Sequence, residues 1–515
     1  MLVPPRYTFI PKEERILEFK GYNKKSVIDD GEMRDMYNLA SDEYPCLYQR
    51  KARGIYSSQY RKPTAMLVKD KKLAVISEGQ FYYDGTLYPA LTLSDKTQMV
   101  AINTRICFFP EKMFFNVKTG ATGNLSASVV SETTTVTVTS STITFPESKG
   151  FENKFVVGDV VEIVASDERL KISAEIKSVT ETSITFPDET FIFVTADGLT
   201  ETTVEITSIE ISRKCPDLDF VIESNNRLWG VSNKDNTIYA CKLGDPTNWG
   251  YFQNTTLDSY YAEQGTDGEW TGCAAYSTHL LFFKEDYIHK VYGSKPSTYQ
   301  IESAQCHALE KGCSKSIAII NETVLYKSRL GIMAYAGGVP MLISDNFGTD
   351  KFKDAIAGTD GIKYFVSVLR DGVPELLVYD MEKYLWHKED NLHAAEYCCW
   401  KDELYCIDAD TKNIITMLGS GTKDEMPVDW EVVTGEIGMF SPDMKYVSRL
   451  VIRMSMEELS EANVYTQYDG NPEWIPVCNI RGTNLRSFSI PVRPRRCDYM
   501  RIKITGTGEC KIYSI

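Results

Sequence analysis

Two groups of soft ligands are the first residues in this chain able to do chemistry. Cys306, His307 and Cys313 bring two thiols and an imidazole into one short stretch, and Cys398, Cys399 and Cys406 follow His393 in another. Thiolate and imidazole are the donors that hold zinc. Neither group has the paired Cys-x-x-Cys spacing of a zinc knuckle. Cys398 and Cys399 are adjacent, so on a strand they point to opposite faces and cannot both reach one ion without distortion. Packed thiols beside an unligated imidazole are the simpler reading of both groups. Carboxylates come next, since a glycosidase sets two of them about 5 to 10 Å apart. Asp267-Gly268-Glu269-Trp270 and Thr349-Asp350-Lys351 supply acids, yet no pair is singled out by its surroundings. No glycine-rich phosphate loop and no Gly-x-Ser-x-Gly elbow occurs. The expectation is a chain with no catalytic residue, no cofactor and no metal.

Charge suggests contact rather than catalysis. Arg493-Pro494-Arg495-Arg496-Cys497-Asp498 is the densest basic spot. Arg493, Arg495 and Arg496 are candidates for a subunit contact, because guanidinium groups clamp carboxylates through paired hydrogen bonds. An exposed sandwich turn is the alternative. A second basic cluster, Arg50-Lys51-Ala52-Arg53, reads as a partner or nucleic-acid contact, or more simply as a solvated strand rim. The whole chain carries a net charge of −15, the wrong sign for gripping phosphates. An acidic wall does suit a duplex that must slide past without sticking.

At 515 residues the chain is expected to hold about two to four domains. Its 43% hydrophobic and 25% charged content is that of a soluble globular protein. No apolar run reaches the roughly 18 residues that span a bilayer, and Met1-Leu2-Val3-Pro4-Pro5-Arg6 lacks the layout of a signal peptide. The thirteen cysteines, an odd number, often sit inside apolar strands such as Ile106-Cys107-Phe108-Phe109, which favours free buried thiols in a reducing compartment.

The elements that would position these residues are strands. From about 216 to 418 one unit returns: an apolar strand, a polar turn, then a strand carrying an aromatic. Arg227-Leu228-Trp229-Gly230-Val231 precedes Asn236-Thr237-Ile238-Tyr239, and Leu280-Leu281-Phe282-Phe283 precedes Tyr287-Ile288-His289. The irregular period, roughly 40 to 50 residues, is that of propeller blades. Similar units at 65–85 and 99–117 place the start of the propeller before residue 70. Between them residues 119–213 turn to Thr, Ser and Val, alternating as half-buried strands do, with an echo between Thr142-Ile143-Thr144-Phe145-Pro146 and Ser183-Ile184-Thr185-Phe186-Pro187. The fold class is all-β: a β-propeller of six or seven blades with an inserted small β-domain and a C-terminal β-sandwich. The boundaries are 1–60 for an extended segment packing on the propeller, 61–118 for the first blades, 119–213 for the insert, 214–425 for the remaining blades and 426–515 for the sandwich. Within the first segment, Met33 and Met36 after the Asp29-Asp30-Gly31 turn share a side of about two helical turns.

Three stretches resemble the packaged-DNA stabilisation, or tail hub, proteins of short-tailed bacteriophages and prophages. The first holds Asp30-Gly31-Glu32-Met33-Arg34-Asp35-Met36-Tyr37-Asn38 and Tyr44-Pro45-Cys46-Leu47 with its basic ending. The second holds Asn226-Arg227-Leu228-Trp229-Gly230 and Gly244-Asp245-Pro246-Thr247-Asn248-Trp249. The third runs from Arg486-Ser487-Phe488 through the 493–498 arginines to Lys511-Ile512-Tyr513-Ser514-Ile515. The resemblance implies a nozzle-like virion structural protein without catalytic residues, assembled in the host cytoplasm. It implies a homo-oligomeric ring, a hexamer, below the portal and adaptor and touching other tail proteins. Double-stranded DNA would pass through that ring without sequence-specific binding, held in until ejection by steric closure. No membrane is involved. The alternatives are a carbohydrate-binding or depolymerising propeller of a host-recognition apparatus, with Asp267–Trp270 as one faint copy of the turn sialidase-like propellers repeat, and a cellular scaffold propeller.

Overall fold

The computed structural model describes residues 13–515 apart from 58, 195–199, 349, 423 and 440–442. The chain forms two compact units, Met1–Tyr60 with Lys315–Ile515, and Arg61–Ser314. Regular structure among the described residues is all strand, with a few short 3-10 turns.

The 61–314 unit contains four antiparallel sheets of four strands outside the insert, opened by Pro63–Lys69, Gln98–Ile102, Phe220–Ser224 and Trp270–Ala275. In each the second strand is apolar almost throughout, as in Leu280–Lys284, where every residue is buried. A strand covered on both faces needs such a run. Asp70-Lys71 and Asn225-Asn226 join first strand to second with positive φ at both turn positions, the two-residue hairpin whose twist matches its strands. Successive sheets share cores. Phe81 meets Phe108 and Phe115, Leu228 and Cys241 join Cys107, and Trp229 lies with Phe282 and Val291.

The insert, after Thr122–Asn124, packs a four-stranded and a five-stranded sheet around Phe145, Phe151, Phe155, Phe186 and Phe191. The sequence echo has a structural cause: Thr142–Thr144 and Ser183–Thr185 pair with each other, Ile143 opposite Ile184. The insert is tied to the neighbouring sheet through Asp159, which is wholly buried. Its carboxylate accepts from the Arg213 guanidinium, from Asn248 Nδ2 at 3.2 Å and from Val156 N at 3.0 Å. Asp159→Asn turns one of the two acceptor oxygens into an amide donor facing another donor, and leaves Arg213 without its counter-ion. We expect it to lower stability by about 1–3 kcal/mol and to expose the insert's junctions to protease, measured by limited digestion against the parent.

The other unit adds three four-stranded sheets, making seven of that size outside the insert among the described residues. They open with Ala318–Ile320, Lys353–Thr359 and Ala394–Trp400. Asn321-Glu322 and Lys401-Asp402 repeat the two-residue turn. The last sheet takes its fourth strand, Gly54–Ser57, from the start of the chain, so the expected packing segment is part of the sheet framework. Gly54 is required there, since an added Cβ would lie 1.8 Å from the Thr422 carbonyl oxygen. Buried Glu403 fastens this sheet: its carboxylate accepts from the backbone N–H groups of Leu404, Met417, Leu418 and Ser420 and from the Ser420 hydroxyl.

The remaining strands are β1 (Gly21–Tyr22), β2 (Glu32–Tyr37), β3 (Leu39–Ala40), β4 (Leu47–Gln49), β5 (Asp429–Thr434), β6 (Arg449–Tyr468), β7 (Ile475–Pro491), β8 (Met500–Thr507) and β9 (Cys510–Ser514). Instead of a separate two-sheet sandwich at 426–515, they form one nine-stranded sheet that includes β1–β4. β6 is the reason: its second half pairs with β8 and its first half with β9, so one strand runs through both halves of the sheet. The helical reading of Met33 and Met36 is also corrected. Both lie on β2 and both are buried, although three positions apart. A register shift between Met33 and Asp35 turns them to one face, imitating helical spacing.

Candidate functional site

Arg493, Arg495 and Arg496 lie in the turn between β7 and β8, and all three are exposed. The turn is rigid beneath them. Cys497 is buried and exchanges backbone hydrogen bonds with Lys445, at 2.9 Å in each direction. Asp469 accepts from Asp498 N at 2.7 Å and Tyr499 N at 3.2 Å. Arg495 stands 5.6 Å from the Tyr468 ring. None of the three arginines has a carboxylate within ion-pair distance among the described residues. They are a fixed row of cations facing solvent, fit for a carboxylate-bearing partner.

The other basic cluster is buried, neither a strand rim nor a nucleic-acid contact. Only Lys51 faces solvent. Arg53 donates from Nη2 to Glu389 at 2.7 Å and from Nη1 to Asp390 at 2.6 Å. Arg50 reaches Asp390 at 3.1 Å, Glu425 at 2.8 Å and Asn38 Oδ1 at 2.7 Å. Burial would push the Glu389 carboxyl up, but it is held at about 2. His387 Nε2 lies 3.8 Å away, too far for a hydrogen bond, so the two guanidinium groups carry that shift.

The soft-ligand groups do not form a metal centre: among the described residues no three His, Cys, Asp or Glu side chains converge as ligands would. Cys313 and Cys406 are buried, Cys399 is exposed, and His393 faces Asp410 at 3.2 Å. None of the thirteen cysteines forms a disulfide. Trp270 is core, and Glu269 pairs with Lys311. Asp350 bonds Lys24 and Arg370; Thr349 lies outside the described residues. The motif residues 226–249 prove to be scaffold. The Arg227 guanidinium donates to the carbonyls of Cys241, Thr256 and Asp258, and Trp249 Nε1 donates to Pro246 O at 2.8 Å.

Sequence reasoning missed one polar cluster. Lys284 and His289 are both buried beside Trp270. Lys284 Nζ donates to Asn236 Oδ1 at 2.8 Å and Thr266 O at 2.6 Å and lies 4.7 Å from the Trp270 ring. His289 sits between the hydroxyls of Thr266 at 3.0 Å and Ser303 at 2.7 Å. Burial, then the Lys284 charge, lowers its pKa to about 4. Apart from their placement on adjacent apolar strands, nothing in the sequence marks them, and their partners are all internal, so the cluster is a structural polar core. An imidazole kept neutral in the fold takes up a proton on unfolding below pH 6.5. Its contribution to stability is therefore lost as the pH falls from about 6.5 to about 4. The His289 ring resonance in a histidine-labelled NMR titration should have its midpoint near 4, not 6.5.

No protein-family profile matches the chain, and no curated protein matches it. Among solved structures it is similar to Hsv2 of Kluyveromyces lactis, at 8% identity and TM-score 0.27 over 64% of this chain and 97% of the other. It is similar to an exo-β-1,3-galactanase of Phanerochaete chrysosporium, at 10% identity and TM-score 0.22 over 57% and 95%. PorZ, a surface component of the type-IX secretion system of Porphyromonas gingivalis, matches at 11% identity and TM-score 0.28 over 88% and 82%. Likeness at these scores transfers neither an activity nor a partner. No helix among the described residues is long and apolar enough to cross a membrane.

Proposed function

We propose that this chain is a structural subunit of a short-tailed phage tail, a hub or nozzle protein. Copies form a ring below the portal and adaptor, continue the DNA channel and retain the packaged genome. The supporting observation is that the first and third stretches bearing the resemblance, far apart in sequence, meet in one sheet: β1–β4 join β8 and β9 there. The first and third of the three stretches help to build that sheet, and the first supplies buried Arg50 and Arg53; the second lies in the sheet opened by Phe220–Ser224. In this reading the seven sheets are the blades of one closed propeller.

The pore of one propeller is too narrow for a duplex, so DNA passes through the ring of subunits. Net charge of −15 keeps phosphates from adhering to its wall. Arg493, Arg495 and Arg496 serve as contacts to an acidic neighbour. Electron microscopy of the purified chain, alone and with a portal–adaptor complex, should show closed rings coaxial with the portal. A chain that remains monomeric with the adaptor present, or one that binds glycans in an array, would overturn the reading.

A further inference from the structure

Among the described residues the β6–β7 ribbon has one edge without a partner: β6 is flanked by β7 on one side and by β8 and β9 on the other, whereas β7 pairs there with β6 alone. β7 is 17 residues long, and a free edge of that length is a template for another chain. Side chains divide the ribbon into two zones. In the first, Arg449, Val451 and Arg453 alternate outward on β6 above buried Leu450, Ile452 and Met454. On β7, Ser487 stands opposite Arg453, and exposed Leu485, two residues on, shares that outward face, whereas Arg486, opposite Met454, points to the other face. Arg453 has no ion pair among the described residues. Arg449 exerts a pull on Glu13, which is itself paired with Arg15.

The second zone is a bulge. The pairing of β6 with β7 jumps between Met456 and Glu461, so residues 457–460 stand out of the ladder. Glu457, Glu458 and Leu459 are exposed there, Leu459 at 97%. The bulge is built in: at Gly482 an added Cβ would lie 2.0 Å from the Glu457 carbonyl oxygen, so β7 carries glycine where the bulge crosses it. Glu457 N–H donates to Glu509 O at 3.1 Å.

We propose that a second copy of this chain docks on the ribbon, the acidic, leucine-tipped bulge of one copy seating on the arginine zone of the next. This rests on the ring reading and names its contact. The two zones are complementary in charge and lie on one ribbon, six residues apart from Arg453 to Leu459, about 20 Å of strand. Copies displaced by that length set bulge against arginines while the free edge of β7 stays available for pairing, a head-to-tail contact of the kind that closes rings. Val451, Leu485 and Leu459 favour protein over nucleic acid, because a phosphate backbone offers exposed aliphatic groups nothing to pack on.

Sedimentation velocity on the full chain tests this with three variants: R449E/R453E, E457R/E458R, and the two sets combined. Wild type should self-associate. Each set alone should raise the dissociation constant about a hundredfold, and the combination should restore assembly, since reversed charges are again complementary. Leu459→Asp, at an exposed position, replaces the arginine variant if that fails to fold. If the charge-reversed chains associate like wild type, the contact is wrong, while rings seen by microscopy leave the hub reading intact. A wild-type chain that stays monomeric also overturns the contact, and rings formed only on the adaptor would then use other surfaces. Binding of a short DNA duplex that needs Arg449 and Arg453, without self-association, would assign the zone to DNA and overturn the proposal.

Discussion

Arg53→Met is expected to cost the unit that holds it about 3–5 kcal/mol, read as a lower denaturant midpoint, because it strands Glu389 in a buried site and leaves Asp390 with Arg50 alone. Side chains of Arg53 and Glu389 are 3% and 7% exposed, so water cannot replace the lost guanidinium. Arg50 remains, but its Nε stands 3.9 Å from Glu389 and its terminal nitrogens are committed to Asp390 and Glu425. Arg53→Lys should lose less than methionine yet remain well below wild type, since an ammonium cannot reach Glu389 and Asp390 with separate, fixed donors. The same network sets an acid limit. With its pKa held at about 2 against an ordinary 4.5, Glu389 contributes about 3 kcal/mol of stability that is fully present above pH 4.5 and lost as the pH falls toward 2. In Arg53→Met that acid-dependent loss should shrink, because the carboxyl is no longer held ionised to the same extent.

Glu403→Ala should be comparably damaging, at about 3–5 kcal/mol. Four backbone N–H groups and a hydroxyl converge on one carboxylate that is 1% exposed as a residue. Removing it leaves Met417, Leu418 and Ser420 donors facing an apolar cavity. The effect should be local first: the sheet formed by Glu403–Asp408, Ile414–Thr416 and Gly54–Ser57 loses the clamp at the end of its third strand. Hydrogen exchange should accelerate at 414–420 and 54–57 before other segments respond. Glu403→Gln retains an acceptor oxygen and should lose less. Equal exchange in wild type and Glu403→Ala would show that the carboxylate does not fasten the sheet.

Much of the strand framework was legible in the sequence, since its signals are local. Buried middle strands such as 280–284 must be apolar on both faces, and turns with two positive-φ residues favour the short polar pairs found at 70–71, 225–226 and 321–322. The composition change at residue 119 marked a domain with its own phenylalanine core, and its echo marked two strands that pair. What the tertiary structure alone decided depends on partners distant in sequence. Arg50 and Arg53 read as surface charge until Glu389, Asp390 and Glu425 are brought to them. Met33 and Met36 read as helix because a bulge, set by pairing with β5, produces the same spacing on a strand. The strand Gly54–Ser57 finds its place only when residues 414–416 are already there to pair with it. For the arginines at 493–496, residue type determined their chemistry in advance, but their rigid exposure depends on Asp469 and Lys445, which no local pattern links to them.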